Sequence, residues 1–183
     1  MTDRWPDIPY EPWTDSSETL HQWLQIVGKY RLANTPWLNH SWHATFYLTT
    51  RGLTTSAIHC ADKSLQVDFD FIDHQLIGAA NDGQRRALPL EPMSVAAFHE
   101  RFRALVDELG VSINFDGAPN EVPEPIPFAE NTAPGAYDAD SVHFSRAQGR
   151  QIVRHRCRVH ENRTFENGRN RTLLNGAYSR IAR

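Results

Sequence analysis

Residues 64–73 alternate between apolar and polar side chains with a period of two. The apolar positions are Leu65, Val67, Phe69 and Phe71, and the polar positions between them are Gln66, Asp68 and Asp70. Because successive side chains of a strand point to opposite faces, such a segment buries one face and leaves the other in water. Parallel sheets are usually covered on both faces, so a strand with one wet face indicates an antiparallel sheet.

Turn signals on either side divide the neighbouring sequence into further strands. Arg51-Gly52, Asp73-His74 and Asn81-Asp82-Gly83 are typical of turns between strands. They predict strands over residues 42–50, 53–60, 76–80 and 85–90, and residues 111–115 are a candidate for a sixth. In the strand 42–50 the side chains should alternate, with Trp42, Ala44, Phe46 and Leu48 on one face and His43, Thr45, Tyr47 and Thr49 on the other.

Two segments have the periodicity of amphipathic helices. Residues 15–32 begin with Asp15 as a cap and Glu18 three residues later. Their apolar face consists of Leu20, Trp23, Leu24, Val27 and Tyr30. The second helix is predicted to run from its cap, Ser94, to about residue 109, and Gly110 is well placed to end it. Residues 137–140 are expected to open a third helix.

Prolines determine the conformation of two other segments. The three prolines of residues 5–13 should exclude a helix there and leave an extended arm that covers the core or roofs a ligand pocket. The five prolines of residues 117–135 predict a second extended segment on the surface.

Together these elements predict an α+β fold with an antiparallel sheet of about five or six strands, two main helices on one face and proline-rich surface arms. The residues expected to share one core are Trp23, Val27, Phe69, Phe71, Phe98, Phe102 and Leu105.

The charge divides the chain into two parts. Residues 144–183 contain ten arginines, no lysine and two glutamates, which gives +8, and since the whole chain carries -3, residues 1–143 carry -11. We therefore expect a single α+β domain over residues 1–143 and an arginine-rich tail over 144–183 that is poorly ordered or aberrant. A nucleic-acid contact through this tail is a weaker hypothesis, because the tail lacks the interleaved aromatic residues of single-strand binders.

Other features indicate a cytoplasmic protein. The N-terminal residues contain no apolar signal region, and no run approaches the ~18 apolar residues of a membrane span. The two cysteines, Cys60 and Cys157, form no disulfide framework or metal motif and are interpreted as reduced thiols.

The densest group of candidate functional residues is TPWLNHSWH, residues 35–43. Trp37 and Trp42 could stack on a ligand, Asn39 and His40 could orient it, and His43 could act as acid or base. Tyr47 and Arg51 follow as further ligand-binding candidates. Asp68 and Asp70 share a strand face, with carboxylates roughly 7 Å apart, which would suit a general acid and base or a magnesium site.

Each of these candidates also has a structural interpretation. His40 and His43 could simply hydrogen-bond beside the tryptophans, and alternating acids are common on a solvated sheet face. The histidines have metal-ligand spacing only if the backbone turns helically, and two ligands are too few for a closed zinc site. We therefore predict no metal and no cofactor. If the polar faces of the strands coincide, a His-Tyr-Asp cluster would form.

Six segments together resemble an uncharacterised family of bacterial proteins, a domain of unknown function. They are WPDIPYEPW, LHQWLQIVGKYRLA, TPWLNHSWH, RGLTTSAI, VDFDFIDHQL and EVPEPIPF. The resemblance extends over roughly residues 5–143. The resemblance implies no activity, ligand or catalytic residue. The chain departs from the family at Ser41, where similar chains have another aromatic residue, and after residue 143, where an aromatic-rich helix is replaced by arginine-rich sequence.

Two classes of function fit this sequence. The first is a small-molecule-binding protein, or an enzyme, with a pocket near residues 37–43. The second is a non-catalytic module that binds a protein partner through its aromatic arms and exposed sheet edge. A concave pocket containing His43 and an Asp favours the first class, and a flat, open face favours the second.

Overall fold

The structure is a computed structural model that describes residues 10–60, 63–111, 114–115, 117–120, 124–140 and 142, apart from the side chains of 10–13 and 40–42. Its centre is a five-stranded antiparallel sheet whose strands are neighbours in the order in which they occur in the chain. The strands are β1 (Tyr47–Leu48), β2 (Gly52–Cys60), β3 (Lys63–Asp70), β4 (Gln75–Ala80) and β5 (Arg85–Pro89). The prediction of an antiparallel sheet is confirmed.

Two helices, α1 (Tyr10–Ala33) and α2 (Val95–Glu108), cover one face of this sheet. Trp23 of α1 stacks on Phe98 of α2 with ring centroids 4.7 Å apart, and Phe98 in turn stacks on Phe69 of β3 at 6.5 Å. All seven residues predicted for the core are buried together. The α+β architecture with both helices on one face is therefore confirmed.

Helix α1 begins five residues earlier than the predicted cap at Asp15. The expectation that prolines exclude a helix up to Trp13 is wrong for residues 10–13. Pro12 lies in the first helical turn, where backbone N–H groups have no intrahelical partner, so its missing donor costs nothing. The earlier part of the predicted arm, residues 5–9, lies outside the described residues.

The end of α1 is fixed by two side chains. Asn34 donates from Nδ2 to the carbonyl of Tyr30 at 2.8 Å, and Thr35 donates its hydroxyl to the carbonyl of Arg31 at 2.6 Å. These bonds satisfy carbonyl groups that the last turn would otherwise leave without partners. Pro36 follows and cannot continue the helix.

The strand predicted over residues 42–50 is mostly wrong. Residues Asn39–Ala44 form a short 3-10 helix, and the strand that follows it, β1, is limited to Tyr47–Leu48. The imidazole of His43 accepts a hydrogen bond from the backbone N–H of Leu38 at its Nδ1 atom, over 3.0 Å. This bond closes the turn, and it shows that local hydrogen bonding outweighs the strand propensity of the aromatic residues here.

Strand β3 ends at Asp70 rather than at residue 73. The Oδ1 atom of Asp70 accepts hydrogen bonds from the N–H groups of Ile72 at 2.9 Å and Asp73 at 3.2 Å, which starts the turn to β4. His74 completes this turn with a positive φ of 50°.

Other predicted boundaries agree with the structure. Ser94 caps α2 by accepting the N–H of Ala97 at 3.2 Å, and Gly110, with φ of +67°, follows its end. A helical turn begins at Ala139, as expected for the third helix. The sixth strand is wrong in its described residues, since Val111, Asn114 and Phe115 are in no strand.

The proline-rich segment after α2 is anchored to the domain by apolar burial and by hydrogen bonds. Phe128 is fully buried in the core. The side chain of Gln25 accepts the backbone N–H of Asn120 at 2.7 Å and donates to its carbonyl at 3.0 Å. Residues 144–183, Cys157 and the predicted tail lie outside the described residues, so the predicted division of the chain at residue 143 stays a prediction.

Candidate functional site

The predicted catalytic residues form hydrogen bonds with other described residues. His43 is buried, and its bond to Leu38 makes Nδ1 an acceptor. Asp68 is half-buried, and both of its carboxylate oxygens accept from Gln66 Nε2, at 3.1 and 3.0 Å. Within the described residues no hydrogen bond joins His43 to either Asp68 or Asp70. Catalytic roles for these three residues stay a prediction, and their described contacts are those of structural groups.

Two of the predicted site residues do meet. Arg51, the residue before β2, donates from Nε to Asp70 Oδ2 at 2.5 Å and from a terminal nitrogen to Asp73 Oδ2 at 2.6 Å. Burial by itself raises the pKa of Asp70, but the Arg51 guanidinium and the two backbone N–H groups outweigh it and hold that pKa below its ordinary value. Asp70 is thus a carboxylate held by internal partners.

A His-Tyr contact also forms, between residues other than the predicted His43 and Tyr47. His74 Nδ1 and the hydroxyl of Tyr137 lie 2.9 Å apart, and the Tyr137 ring stacks on Trp23. Burial raises the pKa of Tyr137 well above its ordinary value, so its hydroxyl keeps its proton, and the tautomer of His74 determines which of the two groups is the donor. This pair fastens the segment before the third helix to the β3–β4 turn.

The predicted ligand-binding residues around the 3-10 helix are largely in solvent. Trp37 is 70% exposed and Tyr47 is 49% exposed, while Asn39 is also exposed. The side chains of His40 and Trp42 lie outside the described part of the structure. The 3-10 helix gives His40 and His43 the helical spacing that two metal ligands need, but among the described residues no group of three His, Cys, Asp or Glu could hold a metal ion.

One functional candidate was not found from the sequence, namely Arg31 in the last turn of α1. Its side chain is buried, with 5% of the residue exposed. One terminal nitrogen donates to the carbonyl of Thr45, and the other lies 3.4 Å from the Ser56 hydroxyl. The Nε atom is buried and has no hydrogen-bond partner in the described chain. No Asp or Glu among the described residues forms an ion pair with Arg31.

The aromatic ring of Tyr47 covers this guanidinium. The Arg31 Cζ atom lies 5.4 Å from the ring centroid, within the range of a cation–π interaction. Tyr47 belongs to the edge strand β1 and is about half exposed, so it separates the buried cation from solvent.

The opposite wall is an irregular part of β2. One extra residue is inserted between Thr54 and Ala57, and Ser56 there has a positive φ of 54°. The fully buried Thr55 repairs the ladder, because its hydroxyl accepts the N–H of Val67 at 3.0 Å. Bulges of this kind redirect side chains and often lie beside functional sites, and here the bulge brings Ser56 to Arg31.

The sequence contains one feature that distinguishes Arg31, namely the lack of an acidic residue at the neighbouring helical positions. The residues three and four positions away along the chain are Val27, Gly28, Asn34 and Thr35, none of which is acidic. An arginine on a helix without an acidic neighbour is usually solvated. Only the folded structure shows that Arg31 is buried.

A second feature of the same region is its exposed apolar surface. Trp37 and Leu38 precede the 3-10 helix, Tyr47 and Leu48 form the edge strand after it, and each of the four is at least 45% exposed. Within the described residues no strand pairs with the outer side of β1.

The fold and this region define an α+β domain built on a sequential five-stranded antiparallel sheet, with a buried arginine at its β1 edge. The chain belongs to DUF5996, a family of unknown function, which matches residues 5–155. The resemblance seen in the sequence is therefore confirmed, and the match extends past residue 143 into the arginine-rich segment. No curated protein and no solved structure matches the chain. In the described part of the chain, no helix has both the length and the apolar character needed to cross a membrane.

Proposed function

We propose that this protein binds a small molecule through a carboxylate or phosphate group, with Arg31 as the anion-binding residue. The observation that carries the proposal is a buried guanidinium that has no acidic partner within the described residues. The site lies between the end of α1, the edge strand β1 and the bulge of β2. It retains the predicted region near residues 37–43 but moves its centre to Arg31.

The energetics favour a ligand over a purely structural role. Removing one charge from water costs several kcal/mol even after the protein relaxes. The negative end of the α1 dipole stabilises the Arg31 charge by about 0.3–1 kcal/mol, up to ~2 in a partly buried geometry. The cation–π interaction with the Tyr47 ring contributes a further stabilisation of about 0.5–2 kcal/mol. The Arg31 guanidinium has two neutral acceptors, and its Nε has no partner in the described chain. Much of the desolvation cost is therefore uncompensated, and an anionic ligand would offset it.

The chemistry of the group selects the class of ligand. A guanidinium has five N–H donors in a planar fork that fits two oxygens of a carboxylate or phosphate at once. Only two of these donors have described acceptors, and one of those bonds is long at 3.4 Å. The Ser56 hydroxyl beside it donates its proton to the Thr55 carbonyl at 2.5 Å and therefore serves Arg31 only as an acceptor. The half-exposed Tyr47 is the group that a ligand would have to displace.

The proposal can be tested by thermal unfolding in phosphate and in acetate, each compared with chloride at matched ionic strength. Binding to the folded state alone should raise the melting temperature as the anion concentration increases. Arg31→Met should abolish this increase, because Met keeps an apolar stem but has no charge. A larger effect of phosphate than of acetate would assign a phosphate ligand, and the reverse order a carboxylate ligand.

Arg103→Met is the matched control, since Arg103 is an exposed arginine on α2. It should leave the anion effect unchanged. An equal anion effect in the wild type and in Arg31→Met would show that the ions act on the whole surface rather than at Arg31.

A second candidate function is binding of an extended protein segment along β1. The exposure of Trp37, Leu38, Tyr47 and Leu48 beside an edge strand supports it, because exposed edges accept further strands and clustered apolar side chains mark binding surfaces. Peptides selected from a random library on the immobilised protein should then weaken at least tenfold with Trp37→Ser. Ile126→Ser, which alters another half-exposed apolar residue, is the control. Equal binding by both variants would contradict this function.

A further inference from the structure

The two edges of the five-stranded sheet differ in chemistry. The β5 edge carries Arg85 and Arg86 next to each other and ends at Pro89, which has no N–H to donate. Charged side chains and prolines keep the edge of a sheet from pairing with another chain. The β1 edge, Tyr47–Leu48, has neither, and no described strand lies beyond it. Of the two edges, β1 is therefore the one that is open to a further strand.

The backbone of β1 directs its free hydrogen-bonding groups outward at Leu48. Thr49 donates its N–H to the carbonyl of Gly52 at 2.9 Å, so these two residues form a hydrogen-bonded pair across the hairpin. Bonded and non-bonded pairs alternate along an antiparallel ladder, which makes Leu48 and Leu53 a non-bonded pair. The N–H and carbonyl groups of Leu48 therefore point away from β2. One more antiparallel strand could bond both of them.

Exposed apolar side chains accompany this edge. Tyr47 and Leu48 lie in the strand, Trp37 and Leu38 lie in the segment before it, and the four are between 45% and 70% exposed. Since a buried aromatic side chain covers roughly 150–250 Å², the four together offer roughly 400 Å² on each chain. That area is about half of the ~800 Å² that each partner contributes to a standard interface. None of the four is charged, so two identical copies can bring these surfaces together without opposing like charges.

We propose that β1 pairs with β1 of a second copy of this chain, so that two sheets join across a two-fold axis. The inference rests on the second candidate function, because β1 of the second copy is the extended segment that this edge binds. The chemistry of the edges selects this partner, since the β5 edge is blocked and only β1 is left to meet β1. Pairing β1 with itself closes at a dimer, whereas contacts between β1 and β5 would repeat into an open chain.

The free groups of Leu48 determine where the axis lies. In a hydrogen-bonded antiparallel pair, two opposite residues exchange both of their N–H···O bonds. With the axis beside Leu48, its N–H donates to the carbonyl of Leu48 in the other copy, and symmetry supplies the reverse bond. The Cα atoms of such a pair are about 5.5 Å apart, so the two Leu48 side chains are neighbours on one face of the joined sheet.

The test measures the mass of the full chain by sedimentation equilibrium at increasing protein concentration. The wild type should form a dimer. Leu48→Lys should dissociate at least about tenfold more easily, because the axis places the two introduced charges opposite each other. Lysine is common on natural edge strands, so this variant should fold. Ile126→Lys is the matched control, since Ile126 is an apolar residue that is 50% exposed, and it should dimerise like the wild type.

A mixture of Leu48→Lys with Leu48→Glu tests the position of the axis. Each variant alone should be monomeric, and the mixture should restore a dimer with one copy of each, because opposite charges then face each other. Trp37→Ser, which alters a side chain outside the strand, should also weaken the dimer.

The inference is overturned if the wild type stays monomeric or forms a continuing series of larger oligomers. It is also overturned if Leu48→Lys and Trp37→Ser dimerise like Ile126→Lys, or if the mixture of the two Leu48 variants stays monomeric. Library peptides that bind along β1 of a monomeric wild type would support the second candidate function and contradict only the pairing with a second copy.

Discussion

The Nε atom of Arg51 lies 2.5 Å from the Oδ2 atom of Asp70, which ties the residue before β2 to the last residue of β3. Asp70 also accepts the N–H groups of Ile72 and Asp73 in the following turn. The Asp70 carboxylate thus stabilises both the pairing of β2 with β3 and the turn between β3 and β4. Both residues had been predicted as parts of a ligand or catalytic site, and the structure gives each of them an internal partner.

This arrangement makes stability depend on the ionisation of Asp70. Its pKa in the folded protein lies below the ordinary 3.8, so its contribution is fully present above pH 3.8 and is lost as the pH falls through the lower folded value. Asp70→Asn should therefore unfold more easily than the wild type at neutral pH, by about 1–3 kcal/mol, and the difference should shrink in acid. Urea unfolding at several pH values measures this difference. Asp73→Asn is the control, and because Asp73 is 64% exposed we expect a change within about 0.5 kcal/mol.

The sheet and its core could be predicted from the sequence because their signals are local. The alternation of β3 and the apolar stripes of the helices each lie within one element, and burial follows directly from such periodicity. The sequence-based predictions are wrong where a single residue decides the local backbone conformation. Pro12 was tolerated in a first turn, and His43 closed a turn where aromatic residues suggested a strand.

The candidate sites were harder to predict because they depend on contacts between distant parts of the chain. Arg31 meets Thr45 and Ser56 only after the sheet has formed, and its lack of an acidic partner is visible only in the fold. Residue type alone makes Trp37 and Asn39 ligand-binding candidates, and both are exposed in the structure.

Phe69 should be among the most sensitive positions of the core. It is 1% exposed and contacts the rings of Phe46, Phe71 and Phe98. Phe69→Ala should lower the free energy of unfolding by about 3–5 kcal/mol. Urea titration provides the measurement, and a loss below about 1 kcal/mol would be incompatible with this packing.

The end of the domain can be located with two truncations. Val142 is 2% exposed and belongs to the core, so a chain that ends after Asp140 should melt several degrees lower than one that ends after residue 143. The longer form should melt within a few degrees of the full chain if the arginine-rich segment contributes little to the fold. Because the family match reaches residue 155, a large loss in the longer form would assign residues 144–155 to the domain.

The free energy of unfolding of an Arg31 variant tests whether the buried side chain stabilises the fold. Arg31→Met removes a charge without an acidic partner and keeps most of the apolar packing of the stem. We expect the free energy of unfolding in the absence of added anions to stay within about 1 kcal/mol of the wild type, or to increase. Denaturant unfolding in chloride measures it, and a loss above ~2 kcal/mol would indicate a structural role.

The most direct test of the anion site is the side-chain Nε–H resonance of Arg31, followed by NMR as phosphate is added. This N–H has no acceptor in the described chain, so a bound anion should change its environment more than that of any exposed arginine. We expect a saturable shift of the Arg31 signal, with little change at Arg103 and slower exchange of the Arg31 proton with water. An Arg31 signal that stays constant, or that moves linearly and in parallel with Arg103, would contradict the proposed function.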